Sequence, residues 1–127
     1  MRTLTDHKLN GLNEALAITV LDEPGAGGAN HKYLIFLDES VRNDPKDGTV
    51  HVAVDFQNGP IQEVGVNGVS GEAYLAILID RLRSFQAGPY KCRENACALT
   101  HLEEALMWLQ KRTRERLTRG VEGTHKV

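Results

Sequence analysis

The spacing of apolar positions changes about halfway along the chain. Through about residue 66 the apolar runs are short and alternate with polar positions; beyond it they recur every three or four residues. "LAITVLD" and "HKYLIFLD" are β-branched and aromatic runs bounded by turn formers, which predicts strands. "VHVAVDF" alternates: Val50, Val52, Val54 and Phe56 share one face, with His51, Ala53 and Asp55 on the other. "EPGAGGAN" and "ESVRNDPKDG" separate these runs as turns. A small antiparallel sheet with one apolar face is expected, and such a sheet needs a cover.

The second half supplies helices. Ser70 is placed to cap one, with Val69 and Tyr74 as a hydrophobic staple, and Leu75, Leu78, Ile79, Leu82 and Phe85 follow at helical spacing. "QAGPY" ends it, with Gly88 suited to the C-terminal cap and Pro89 unable to continue. A second helix is predicted from about Lys91 to Arg119, roughly 40 Å long, with a stripe of Leu99, Leu102, Leu106, Leu109 and Leu117. The short connection makes the two an antiparallel hairpin. The longer helix is expected to overshoot the shorter through Met107, Trp108 and Leu109, leaving apolar surface for a second copy of the chain. The fold class is therefore α+β: a small N-terminal antiparallel sheet followed by a long C-terminal helical hairpin. A single domain over 1–127 is expected, β-rich over 1–66 and hairpin plus tail over 67–127.

Charge alters this picture in one place. A formal net charge of −2 excludes a general nucleic-acid coat, so any anion site must come from local clustering. That cluster is "KRTRERLTRG", where five cations face one acid, Glu115. Arg112 and Arg116 are four apart and share a helix face, a spacing that suits two charge-assisted grips on a diphosphate. The alternative is that they merely complement the helix dipole. Cys92 and Cys97 match no zinc or redox spacing, and the five histidines show no metal pattern. No signal-peptide pattern or membrane-length apolar run is present, so a cytoplasmic setting is expected.

"GAGGAN" lies between two predicted strands, which rules out a dinucleotide fingerprint, because no helix follows to hold phosphate. It remains either a plain surface loop or one whose amides, with Asn30 and His31, touch an anion. Asn58-Gly59 in "FQNGP" is suited to positive φ at a turn. No catalytic signature is found, which favours a binding protein with no cofactor or metal.

"GGANHKY", "FQNGP", "GVNGVS", "LIDRLRSFQAGPYKCRENACALTHLEEALMWLQKRT" and "RGVEGTHKV" together resemble the bacteriophage Thoeris anti-defence sponge family, whose hairpin is shared with phage anti-CBASS sponges. The resemblance implies a non-enzymatic trap in the host cell cytoplasm. It would bind the TIR-derived messenger glycocyclic ADP-ribose (gcADPR) and keep the downstream effector silent. It implies a dimer-built homo-oligomer such as a hexamer, and separate sites for cyclic di- or trinucleotides. By position, Phe85 and Asn95 would contact adenine and Arg112 and Arg116 the phosphates. Arg93 corresponds to the cyclic-trinucleotide site, and Cys92 beside it stands where a hydroxyl residue is expected. No nucleic-acid or membrane partner is implied. The competing readings are an enzyme degrading the same messenger and a small nucleic-acid module using the basic helix end.

Reach adds a constraint. Arg112 lies seventeen residues beyond Asn95 on one helix, about 25 Å. A mononucleotide-sized ring is roughly 10 Å across. Two hairpins packed antiparallel are therefore expected to build each pocket.

Overall fold

Reciprocal pairing sets Arg2 opposite Val20, Leu16 opposite Leu37 and Lys32 opposite Asp55. These pairs define the antiparallel order β1 (Arg2–Leu4), β2 (Leu16–Val20), β3 (Lys32–Leu37) and β4 (His51–Asp55). The computed structural model describes residues 1–37 and 51–127. The "ESVRNDPKDG" turn and the inward placement of Val50 lie outside the described residues. β2, β3 and β4 fall where their apolar runs predict them. β1 was not foreseen, nor was α1 (Gly11–Ala15), a single turn capped by the Asn10 side chain.

The described residues divide into two compact units, Met1–Gly59 with Val66–Gly68, and Pro60–Gly65 with Val69–Val127. In the first, Val20 and Val54 are buried and the Tyr33 and Phe56 rings meet edge to face at 5.9 Å. Val52, expected on the same face as Val54, is exposed. The "FQNGP" and "GVNG" stretches interlock. Asn58 donates its N–H to Asn67 Oδ1 and its carbonyl accepts from Asn67 Nδ2, both at 2.8 Å. Gly59 takes φ 96°, as its turn requires. A Cβ on Gly68 would lie 2.4 Å from the Phe56 carbonyl carbon, so only glycine fits this crossing.

The second unit holds α2 (Ile61–Val64), α3 (Gly71–Gln86) and α4 (Arg93–Arg119), of which the single-turn α2 was also unforeseen. α3 starts where Ser70 Oγ accepts the Ala73 N–H at 3.1 Å. It ends at Gln86, with Ala87 N–H on Arg83 O and Gly88 N–H on Phe85 O. Gly88 is not left-handed: the turn closes with right-handed Ala87, so no positive φ is needed before Pro89. α4 begins at Arg93 rather than Lys91, because the Cys92 Sγ caps it. Gly120, at φ 72°, stops it with a left-handed cap. Arg83 Nη2 bridges the helices to Glu103 Oε2 at 2.9 Å.

Sixteen residues of α3 and twenty-seven of α4 give lengths of about 24 and 40 Å. The overshoot is shorter than the sequence predicts. Glu72, in the first turn of α3, lines a cavity with Gln110, Thr113 and Arg114, so α3 begins level with that part of α4. Only about one and a half turns run past it. Met107 and Trp108 are exposed because they occupy the flank turned away from α3, and not because α3 stops short of them. Among the described residues no helix is long and apolar enough to cross a membrane.

Candidate functional site

The bend of the hairpin brings Phe85 and Asn95 to neighbouring turns. Phe85, in the last turn of α3, is half-buried, and the Arg81 guanidinium carbon lies 4.9 Å from its ring centroid. Tyr90 meets the same ring edge to face at 6.4 Å and is itself largely exposed. The bend is fixed from within, since the Cys92 N–H donates to Gln86 Oε1 at 3.0 Å. Asn95 N–H then donates to Cys92 Sγ at 3.4 Å, a weak cap where serine or threonine is the usual choice. The Asn95 carboxamide makes no hydrogen bond among the described residues, which leaves its donor and acceptor open to a base edge. Arg93, in the first turn of α4, is exposed.

The basic end does not present its two arginines alike. Arg112 is exposed and has no hydrogen bond or ion pair among the described residues. Arg116, one turn on, is only 6% exposed. Its Nε donates to Glu122 Oε2 at 3.0 Å and its Nη1 to Lys126 O at 2.6 Å. Its Nη2 donates to both Val121 O and Thr124 O at 2.9 Å. Four of the five N–H groups of an arginine are thereby used inside the chain. The sequence shows the shared helix face but not this capture, because the partners are carbonyls of the segment that folds back after Gly120. Glu122, six residues after Arg116, was the one available signal.

The surrounding cations divide in the same way. Lys111 pairs with Glu115 at 3.7 Å and lies over the Trp108 ring, and Arg119 Nη1 donates to Val127 O at 2.9 Å. Arg114 lines an open cavity of about 430 Å³ with Glu72, Gln110, Thr113 and Glu122.

Asn30 and His31 belong to the first unit and are employed there. Asn30 donates to Asp22 O at 2.6 Å and accepts from Arg2 at 2.8 Å. His31 is buried, and its Nδ1 has no hydrogen-bond partner among the described residues. The Asp22 carboxylate accepts the N–H groups of His31 and Lys32. Desolvation pushes this carboxyl upward, but those backbone donors, with its own N–H and the charge of His31, outweigh it and hold Asp22 below its usual value. In the glycine loop, Gly25 N–H binds Ala29 O, Gly28 N–H binds Gly25 O and Ala26 N–H binds Asn58 Oδ1. Three of its amides are thus closed to an anion.

Two comparisons bear on what this arrangement serves. The family model described as "Acb2/Tad1, hairpin domain" matches residues 48–114, just over half of the chain. That stretch includes Phe85, Arg93, Asn95 and Arg112 and stops short of Arg116. Thoeris anti-defense 1 of Bacillus phage SBSphiJ7 is 61% identical over 72 residues, 57% of this chain and 51% of that protein. The chain thus spans about half the length of the curated relative it matches.

Proposed function

The chain belongs to the Acb2/Tad1 hairpin-domain family, and from that membership we propose that it acts against Thoeris defence by sequestering gcADPR. Binding is reversible and without cleavage, in the cytoplasm of the infected cell, and it starves the downstream effector of its signal. The name of the Bacillus phage relative supports the Thoeris half of this reading. The chemistry of the hairpin supports the ligand.

The observation that carries it is the separation of the two halves of the site along one unbroken helix. Asn95 and Arg112 both lie on α4, about 25 Å apart. No mononucleotide-sized messenger spans that distance. Two copies packed antiparallel bring the bend of one beside the basic end of the other. Phe85 and Asn95 then hold adenine, by ring contact and by the open carboxamide. Arg112 from the partner copy holds the phosphates, with Arg116 completing that end. Exposed Ile77, Met107 and Trp108 supply the apolar surface for such packing. This dimer is the building unit of a larger homo-oligomer, a hexamer by family resemblance. The same resemblance assigns Arg93 to a separate cyclic di- or trinucleotide site, which Cys92 alters. The whole 1–127 chain is read as one functional domain.

Two arginine-class contacts and a stacked base reach nanomolar affinity, roughly −12 kcal/mol, when the oligomer pre-organises the pocket. The test is to mix the protein with one equivalent of gcADPR, confirm capture by calorimetry, and then boil. Recovery of intact messenger supports sequestration, whereas a new product would make the protein an enzyme. Binding of mixed-sequence RNA that fades steeply with salt would favour the nucleic-acid reading instead.

A further inference from the structure

Phe85 is flanked from both ends of its helix. The Arg81 guanidinium carbon, one turn back along α3, stands 4.9 Å from the ring centroid. Tyr90, just past the end of α3, meets the same ring at 6.4 Å, with the two planes 86° apart. Two aromatic rings at right angles make a corner.

Tyr90 is 74% exposed, and its hydroxyl has no hydrogen bond among the described residues. Its backbone is nonetheless fixed on both sides. Gly88 N–H donates to Phe85 O at 3.2 Å, Pro89 sets its own φ, and Cys92 N–H donates to Gln86 Oε1 at 3.0 Å. An aromatic ring is thereby held out in water, on a rigid turn, beside the residue assigned to the base. Such pre-organisation spares a ligand the cost of ordering the ring.

Resting on the sequestration reading above, we propose that Tyr90 is a third base-contacting residue of the messenger pocket, beside Phe85 and Asn95. Stacked aromatic groups have centroids roughly 4.5–7 Å apart, so a purine on Phe85 fills the corner that Tyr90 closes at 6.4 Å. Arg81 holds one face of Phe85, and the base takes the other. The Asn95 carboxamide matches the 6-amino group and N7 of adenine, the usual pairing for that side chain. N1 and N3 of the ring are then left as acceptors, and the phenol O–H donates to one of them. The tyrosine therefore supplies both a wall, through its ring, and a reading contact, through its hydroxyl.

The test is calorimetric titration of the full-length chain with gcADPR. Tyr90→Phe removes only the hydroxyl and is expected to weaken binding about fivefold, the loss of one neutral hydrogen bond. Tyr90→Ala removes the wall as well and is expected to weaken it about thirtyfold. A ligand series separates contact from support. Against gcADPR carrying 1-deaza- or 3-deaza-adenine, one of the two analogues should bind wild type and Tyr90→Phe equally, because the acceptor is gone. Tyr90 is exposed, so both variants are expected to fold, and light scattering should give them the wild-type mass. Wild-type affinity in Tyr90→Ala, a Tyr90→Phe loss that persists with both deaza analogues, or a smaller mass in either variant would each overturn the proposal; the last would assign Tyr90 to packing between copies. Wild-type protein that takes up no gcADPR would overturn the sequestration reading itself. Capture by wild type with no effect at Tyr90 overturns only its place in the pocket.

Discussion

Arg116 holds Glu122 at 3.0 Å across a gap of six residues, and the guanidinium is almost fully withdrawn from water. A buried ion pair is tolerable only when its remaining donors are satisfied, and here three backbone carbonyls satisfy them. The pair therefore closes the end of α4, where Gly120 has turned the chain back and Val121 N–H donates to Arg116 O.

Arg116→Ala should destabilise the protein by about 3 kcal/mol, at the lower end of what breaking a buried pair costs. Glu122→Gln should cost only about 1 kcal/mol, because the three carbonyl bonds survive. Urea unfolding of both variants checks this. Equal losses would mean that the ion pair alone, and not the carbonyl clasp, stabilises the segment.

Cys92 caps the longest helix with a sulfur at 3.4 Å from the Asn95 N–H. Serine offers a stronger acceptor in the same place, so Cys92→Ser should stabilise the protein by about 0.5 kcal/mol. The readout is an increase in the urea midpoint with unchanged slope. A lower midpoint would show that the thiol packs as well as caps.

Asp22 makes part of the stability depend on acid. Its folded pKa lies below the ordinary 3.8 because backbone donors prefer the carboxylate. Its contribution is therefore complete above the ordinary value and disappears as pH falls through the lowered one. Asp22→Asn should flatten that part of the acid-unfolding curve while lowering stability at neutral pH. An unaltered acid curve would assign the effect to other carboxylates.

Trp108 is 61% exposed on the outer flank of α4, with Lys111 over its ring. Trp108→Glu should break the proposed self-association, seen as a smaller mass by light scattering, while the helical content stays unchanged. Messenger binding should fall with it. A monomeric variant with wild-type affinity would exclude a pocket built from two copies.

Much of the fold could be read from local pattern. Alternation in "VHVAVDF" marks β4, and three-and-four spacing with Ser70, Pro89 and Gly120 marks the hairpin, because periodicity and caps act within a few residues. β1 was missed because three residues are too short to show alternation; its pairing with β2 makes it a strand. The bend residues Phe85 and Asn95 could be placed together for the same local reason, as could the basic face of Arg112.

Sequence alone therefore determined the order of elements, the length of α4 and the distance along it between Asn95 and Arg112, all of which follow from backbone geometry repeated residue by residue. Tertiary structure decided which of two adjacent arginines faces solvent. Charge and spacing treat Arg112 and Arg116 alike, and only the return of residues 121–127 over one of them supplies the carbonyls that bury it.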